Sequence, residues 1–349
     1  MNRQELGIGS ALDIALVGAF QAYRQGLLRQ PQRIAPIPPR DFDALKFLGT
    51  VGWVPLEERL HVHKLHLACG KGLSASRQGC LDEALDHYDQ AKQQLDRLEG
   101  SQLAWLLGVS TYEAGIAYMD FRHGCIERAQ ESLNRAMNAD LQLERAGLPV
   151  MQMHRIQQGH NLARMDLRLG RREVAIKLGG MLFAYLEHRV EVLPYHRDWN
   201  SKLLQAVPRS LLQAMIHQII GETAGSLVTG AASVEEWRVL IEACRLCRDP
   251  ETTVFPQVQY ALQAQHERLK GTQEEYLHNL ERFFRFGIRD CHLLWYAIMI
   301  EFVNFCGELD TRRSWEIRGV ILRDSAKWKG LPLLLRNRLN TLGDCRAVA

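Results

Sequence analysis

Three glycines set the frame for this 349-residue chain. Gly79, Gly124 and Gly170 follow one another at intervals of 45 and 46 residues, each between two long helix-forming runs. The stretch Gln78–Leu95, QGCLDEALDHYDQAKQQL, recurs as HGCIERAQESLNRAMNADL from His123 and more faintly as LGRREVAIKLGGML from Leu169. Five residues past each glycine stand Ala84, Ala129 and Ala175. Twelve past stand Ala91, Ala136 and Leu182, and seven before stand Gly72, Ala117 and Ala163. Small side chains at these offsets let two antiparallel helices approach closely. A near-constant period in this range points to stacked supersecondary units, an all-α solenoid of helix pairs.

The first unit, with Gly72, Gly79, Ala84, Tyr88 and Ala91, resembles the tetratricopeptide repeat, a helix-turn-helix with small, alanine and aromatic positions. The resemblance covers residues 56–188 well and the rest weakly. It departs from the family in three ways: no Trp stands early in the first helix, the closing Pro is missing, and the period exceeds the usual 34 by about eleven residues. Eleven residues at ~1.5 Å rise add roughly 16 Å of helix, shared between two helices. The resemblance therefore implies extended repeats in a TPR-like α-α superhelix. Its concave groove, lined by the ends of the first helices, would take a protein or peptide and need no cofactor.

The organisation expected around this core is as follows. Residues 1–29 hold a capping helix, apolar at Leu12, Ile14, Leu16, Val17 and Phe20, laid on the first repeat to cover the end of the stack. Residues 30–55 are a Pro/Gly-rich linker, because the four prolines of QPQRIAPIPPRD cannot continue a helix. Residues 56–188 form three repeats, with helices near 56–77, 82–98, 102–122, 126–146, 151–169 and 171–188. An irregular break follows at 189–207. Residues 208–324 make three further, degenerate hairpins, in which Gly271 and Gly307 occupy turn positions. Residues 325–349 supply a second capping helix, apolar from Leu331 to Leu342, and a tail.

Composition excludes little beyond this. Hydrophobic residues at 46% and charged residues at 24% fit a folded globular chain, and a net charge of +3 gives no general pull toward nucleic acid or a membrane surface. Eight cysteines are scattered without framework spacing, which reads as reduced thiols in the cytoplasm. Cys80 and Cys125 hold equivalent places after the glycine and are expected in the core. The apolar run 11–20 is interrupted by Asp13 and is too short to span a bilayer, so no membrane association is expected. A homodimer through an exposed solenoid end fits the architecture.

The candidate partner-binding groove rests on a column of arginines, Arg77, Arg122 and Arg168, each two residues before a turn glycine, with Tyr118, Phe121, His160 and Arg164 nearby. Guanidinium forks suit carboxylates and phosphates, so the groove would recognise an acidic segment or a terminal carboxylate. A cation in the last helical turn is also explained by the helix dipole and orphan carbonyls alone. Two other readings stay open. One is a metal-dependent enzyme using the His61/His63/His66 run, the Glu58–His61 and Glu275–His278 pairs, or the lone CxxC of Cys244 and Cys247. The other is a nucleic-acid regulator using the basic C-terminal stretch of Arg318, Arg323, Lys327, Lys329, Arg336 and Arg338 with Trp315 and Trp328 between them. No GxSxG, HExxH, Walker or Rossmann pattern occurs, so no catalytic residues are assigned.

Overall fold

The computed structural model describes residues 11–28, 52–195, 198–230, 234–247, 249–250, 253, 255–288, 291–328 and 330–344. Among these the chain is all-α, without strands. The helices are α1 (Ala11–Leu28), α2 (Leu56–Gln78), α3 (Leu81–Asp96), α4 (Gln102–Arg122), α5 (Ile126–Arg145), α6 (Met151–Arg168) and α7 (Arg172–Leu186). A 3-10 turn at Ser201–Ala206 precedes α8 (Arg209–Thr229), α9 (Val234–Cys244), α10 (Pro256–Lys270), α11 (Gln273–Arg285), α12 (His292–Leu309), α13 (Arg312–Ser325) and α14 (Leu333–Asp344). The linker expected at 30–55 lies outside the described residues up to Val51.

The chain forms two compact units. One holds Ile37–Leu178 and Val190–Met215, the other Met1–Pro36, Gly179–Arg189 and Ile216–Ala349. The division therefore does not fall once, at the irregular break.

In the first unit the helices pack in neighbouring pairs. α2 lies on α3 and α4 on α5, while α2 also meets α4, α3 meets α4, and α5 meets α6. The three spaced glycines close the first helix of successive pairs in the same way. Gly79, Gly124 and Gly170 sit at φ 82°, 79° and 76°. Each glycine N–H bonds three residues back, and the next N–H reaches five back: Cys80 to Ala75, Cys125 to Asp120, Arg171 to Asp166. This is the Schellman cap, which satisfies the last carbonyls of the helix and needs a residue that tolerates the left-handed region. Gly271 repeats it at φ 80° after α10.

The small positions are all interior. Ala84, Ala91, Ala129 and Ala136 have no exposed surface, and Gly72, Ala117, Ala163, Ala175 and Leu182 are buried too. Tyr88 explains the spacing around it. A Cβ on Gly72 of α2 would lie 2.9 Å from the Tyr88 ring, and one on Gly115 of α4 only 2.6 Å from it. The ring is thus gripped between two helix backbones. Leu65, Cys69, Ala84, Leu95, Leu107, Leu143 and Met151 complete one continuous core across α2–α6.

The second unit is built differently. α12 is apolar on every side, and its residues from Leu294 to Val303 are all buried, as befits a helix at the centre of a core. Trp295 packs edge-on to Phe284, Tyr296 and Trp328 and stacks on Tyr23 at 5.7 Å between centroids. Tyr23 belongs to α1, which packs on α11 rather than on the first repeat. This corrects the expected N-terminal cap. The reason is steric and chemical. Ala15, Ala19, Ala22 and Gly26 form a small-residue stripe on α1, and a Cβ on Gly26 would meet the Phe284 carbonyl oxygen at 2.6 Å. Tyr23 then enters the aromatic cluster, and its hydroxyl donates to Asp324 at 3.3 Å. Burial and that carboxylate push the phenol far above its ordinary value.

Two further expectations are corrected. Gly307 is not a turn residue: it lies inside α12, which ends at Asp310 in the left-handed region (φ 49°). Its role is to admit the Arg318 guanidinium, which a Cβ would meet at 2.8 Å. Cys80 is exposed and Cys125 half-buried, not core. Both stand immediately after a Schellman glycine, as the N-cap of the second helix, where the hairpin tip faces water.

Candidate partner-binding surface

The arginine column sits at the C-terminal ends of α2, α4 and α6, in the first unit. Arg77, Arg122 and Arg168 are all exposed. Two rest on rings of α4: Arg77 lies 5.9 Å from the Tyr118 centroid and Arg168 lies 5.6 Å from Phe121. Both rings are half-buried. So α4 carries the aromatic platform and its two neighbouring first helices supply guanidiniums over it. Among the described residues none of the three arginines makes an ion pair. The Schellman caps already serve the last carbonyls, so these arginines are not required to cap them.

Two residues placed in the groove by the sequence behave otherwise. His160 is buried, with 2% of its surface exposed, and cannot meet a partner without rearrangement. Arg164 is half-buried and donates to Asn161 Oδ1 at 2.9 Å along its own helix. The exposed guanidiniums of this surface are therefore Arg77, Arg122 and Arg168, with half-buried Tyr118 and Phe121 beside them.

Toward the other end of these helices lies a polar core that no local pattern announced. Asp140 of α5 is fully buried. It accepts from Ser110 Oγ at 2.6 Å and from His154 Nδ1 at 2.8 Å, while Gln158 Nε2 donates to His154 Nε2 at 2.8 Å. The residue types are those of a hydrolytic triad, but the wiring differs. In a triad the serine bonds the imidazole nitrogen far from the acid. Here serine and acid meet at the same nitrogen (Ser110 Oγ is 3.0 Å from His154 Nδ1), and the far nitrogen is held by glutamine. All four residues are buried, so the arrangement ties α4, α5 and α6 together rather than activating a nucleophile.

One turn along, Arg155 is wholly buried and bonds Glu144 Oε2 at 2.8 Å. Its guanidinium stacks 3.9 Å from the Trp199 ring centroid and donates to the Asp198 carbonyl. Burial pushes the Glu144 carboxyl up, to about 8, against the pull of Arg155. The same face of α6 holds the chain that returns after α7. Gln152 donates to the Asn200 carbonyl, and Tyr195 fills the space a Cβ on Gly159 would need. Arg145 clamps the Asp198 carboxylate from α5 at 2.6 Å. Within the irregular break, Tyr195 and residues 198–200 thus form a pinned strap across α5 and α6.

Three residues of the metal reading have other surroundings. His61 Nδ1 bonds Gln94 Oε1 at 3.0 Å, and His66 Nε2 lies 3.4 Å from Thr111 Oγ1. Cys244 is buried at the end of α9, and burial pushes its thiol well up. No group of three or more His, Cys, Asp or Glu among the described residues could hold a metal ion. In the basic C-terminal stretch, Trp328 is spent in the aromatic core. Trp315 stacks under Arg318 at 4.6 Å and donates to Asp310 at 2.8 Å. The Trp328 ring is buried, and Trp315 is half-buried. Lys329 lies outside the described residues.

No helix among the described residues is long and apolar enough to cross a membrane. No family model, no curated protein and no solved structure matches this chain.

Proposed function

We propose that this chain is a non-enzymatic binding module whose first unit, a TPR-like superhelix of extended repeats, holds a protein or peptide partner. The partner is an acidic segment or a terminal carboxylate. The observation that carries the reading is the surface of Arg77, Arg122 and Arg168. Three exposed guanidiniums stand at equivalent helix ends without acidic partners among the described residues, two of them resting on aromatic rings. A guanidinium resting over a ring keeps N–H groups available, and a guanidinium edge matches a carboxylate in two-point fashion. The three helix ends repeat at the spacing of the hairpins, which suits an extended ligand better than a compact one.

The test is capture from the native cell with the full chain and with the Arg77→Gln, Arg122→Gln, Arg168→Gln triple variant. The expected result is a partner retained by the first, lost by the second, and released by raised salt, because exposed charges are screened. Equal capture by both chains, with helicity and thermal midpoint unchanged, removes this surface from the function.

A further inference from the structure

The second unit contains an open cleft of about 620 Å³, lined by Asp249, Pro250, Tyr260, Gln263, Arg282, Arg285 and Phe286. Its volume lies in the range of small-molecule sites. Its walls are sorted by chemistry. α11 contributes two guanidiniums, Arg282 and Arg285, three residues apart and so on one helix face. α10 contributes Tyr260, whose ring lies 6.2 Å from that of Phe286, and Arg282 lies 5.6 Å from the Tyr260 centroid. Cation and rings therefore share one cleft.

Arg282, Arg285 and Phe286 look outward, while Tyr260 is buried, with 3% of its surface exposed. Arg282 is exposed and makes no ion pair among the described residues. Arg285 is shared with Glu281 one turn back. Phe286 keeps 41% of its surface exposed beside two cations. Gln263 uses its Nε2 on the Cys247 carbonyl, which fixes the amide and leaves its oxygen to accept.

We propose that this cleft binds a small aromatic phosphate monoester of nucleoside-monophosphate type. The phosphate would lie between Arg282 and Arg285, and the ring system would lie against the exposed Phe286. Two guanidiniums on one face can present several N–H groups to a three-oxygen anion. The Gln263 oxygen stands in the same cleft as an acceptor for hydroxyl or amino groups on the ligand body.

The experiment is calorimetric titration of the full chain with adenosine monophosphate, adenosine and inorganic phosphate. The monophosphate is expected to bind at least about tenfold more tightly than either piece alone, because each half of the cleft then contributes. Arg282→Gln is expected to weaken it by about tenfold or more, the loss of one charge-assisted contact. Phe286→Ala is expected to weaken it several-fold. Both positions are exposed, so the variants keep the fold, and an unchanged thermal midpoint verifies this. Lys92→Gln, at an exposed position in the other unit, should leave the titration unchanged. The proposal is overturned if the monophosphate binds no better than phosphate, if it does not bind, or if Arg282→Gln leaves its affinity intact.

Discussion

The two units reach a packed interior by opposite means. In the α2–α6 unit, helices approach through glycine and alanine, and one aromatic ring, Tyr88, is wedged between Gly72 and Gly115. In the other unit, Tyr23, Phe284, Trp295, Tyr296 and Trp328 fill the space with rings around α12. A small-residue interface has no slack for added atoms. A ring cluster has no substitute for the atoms it holds. The first should be broken by addition and the second by deletion.

The largest effect is expected in the ring cluster. Trp295→Ala removes a fully buried side chain that touches four other rings, and should cost about 3–5 kcal/mol in denaturant unfolding. A loss under about 1 kcal/mol would mean that the cluster collapses around the gap and that the contrast fails. Next comes addition in the small-residue unit. Gly115→Ala forces a Cβ to within 2.6 Å of the Tyr88 ring and should cost about 1–3 kcal/mol. Combining it with Tyr88→Leu, which makes room, should recover part of that loss. No recovery would show that the glycine serves backbone geometry and not the ring.

The smallest effect sharpens the comparison through pH. His217 of α8 packs edge-on to Phe255 in the ring-rich unit. Burial, helped by nearby His292, lowers its pKa to about 4. The folded state therefore refuses a proton that the unfolded chain accepts near 6.5. Stability contributed by the neutral ring is full above 6.5 and is lost as pH falls toward 4. His217→Gln should flatten unfolding free energy across that window. An unchanged slope would assign the acid sensitivity elsewhere.

Much of the helical layout was legible because its punctuation is local. Pro55 starts α2, and Gly79, Gly124, Gly170 and Gly271 each force a left-handed cap that ends a helix where the sequence places it. The small positions were legible too, since their period of about 45 residues coincides with the hairpin. The rest depends on distant partners. Nothing near Tyr23 says that its ring meets Trp295, and nothing near Gly307 says that Arg318 needs the room. In the candidate surface the exposed arginines followed from the repeat register. His160 did not: nothing in its local pattern marks it as buried, yet only 2% of its surface is exposed. Arg155 is the clearest case: an arginine amid polar neighbours reads as solvent-facing, yet Glu144 and Trp199 hold it wholly buried.

The route of the chain has a practical outcome. It passes from one unit to the other near residues 36, 178, 189 and 215, so neither unit is a continuous piece of sequence. Deletion mapping would mislead here: a fragment ending at 178 drops the strap that Arg145 and Arg155 grip, and one starting at 216 drops the α1 ring donor, Tyr23. Each piece would expose an unfilled seat, and a loss of binding in such a piece would report misfolding, not the address of the site.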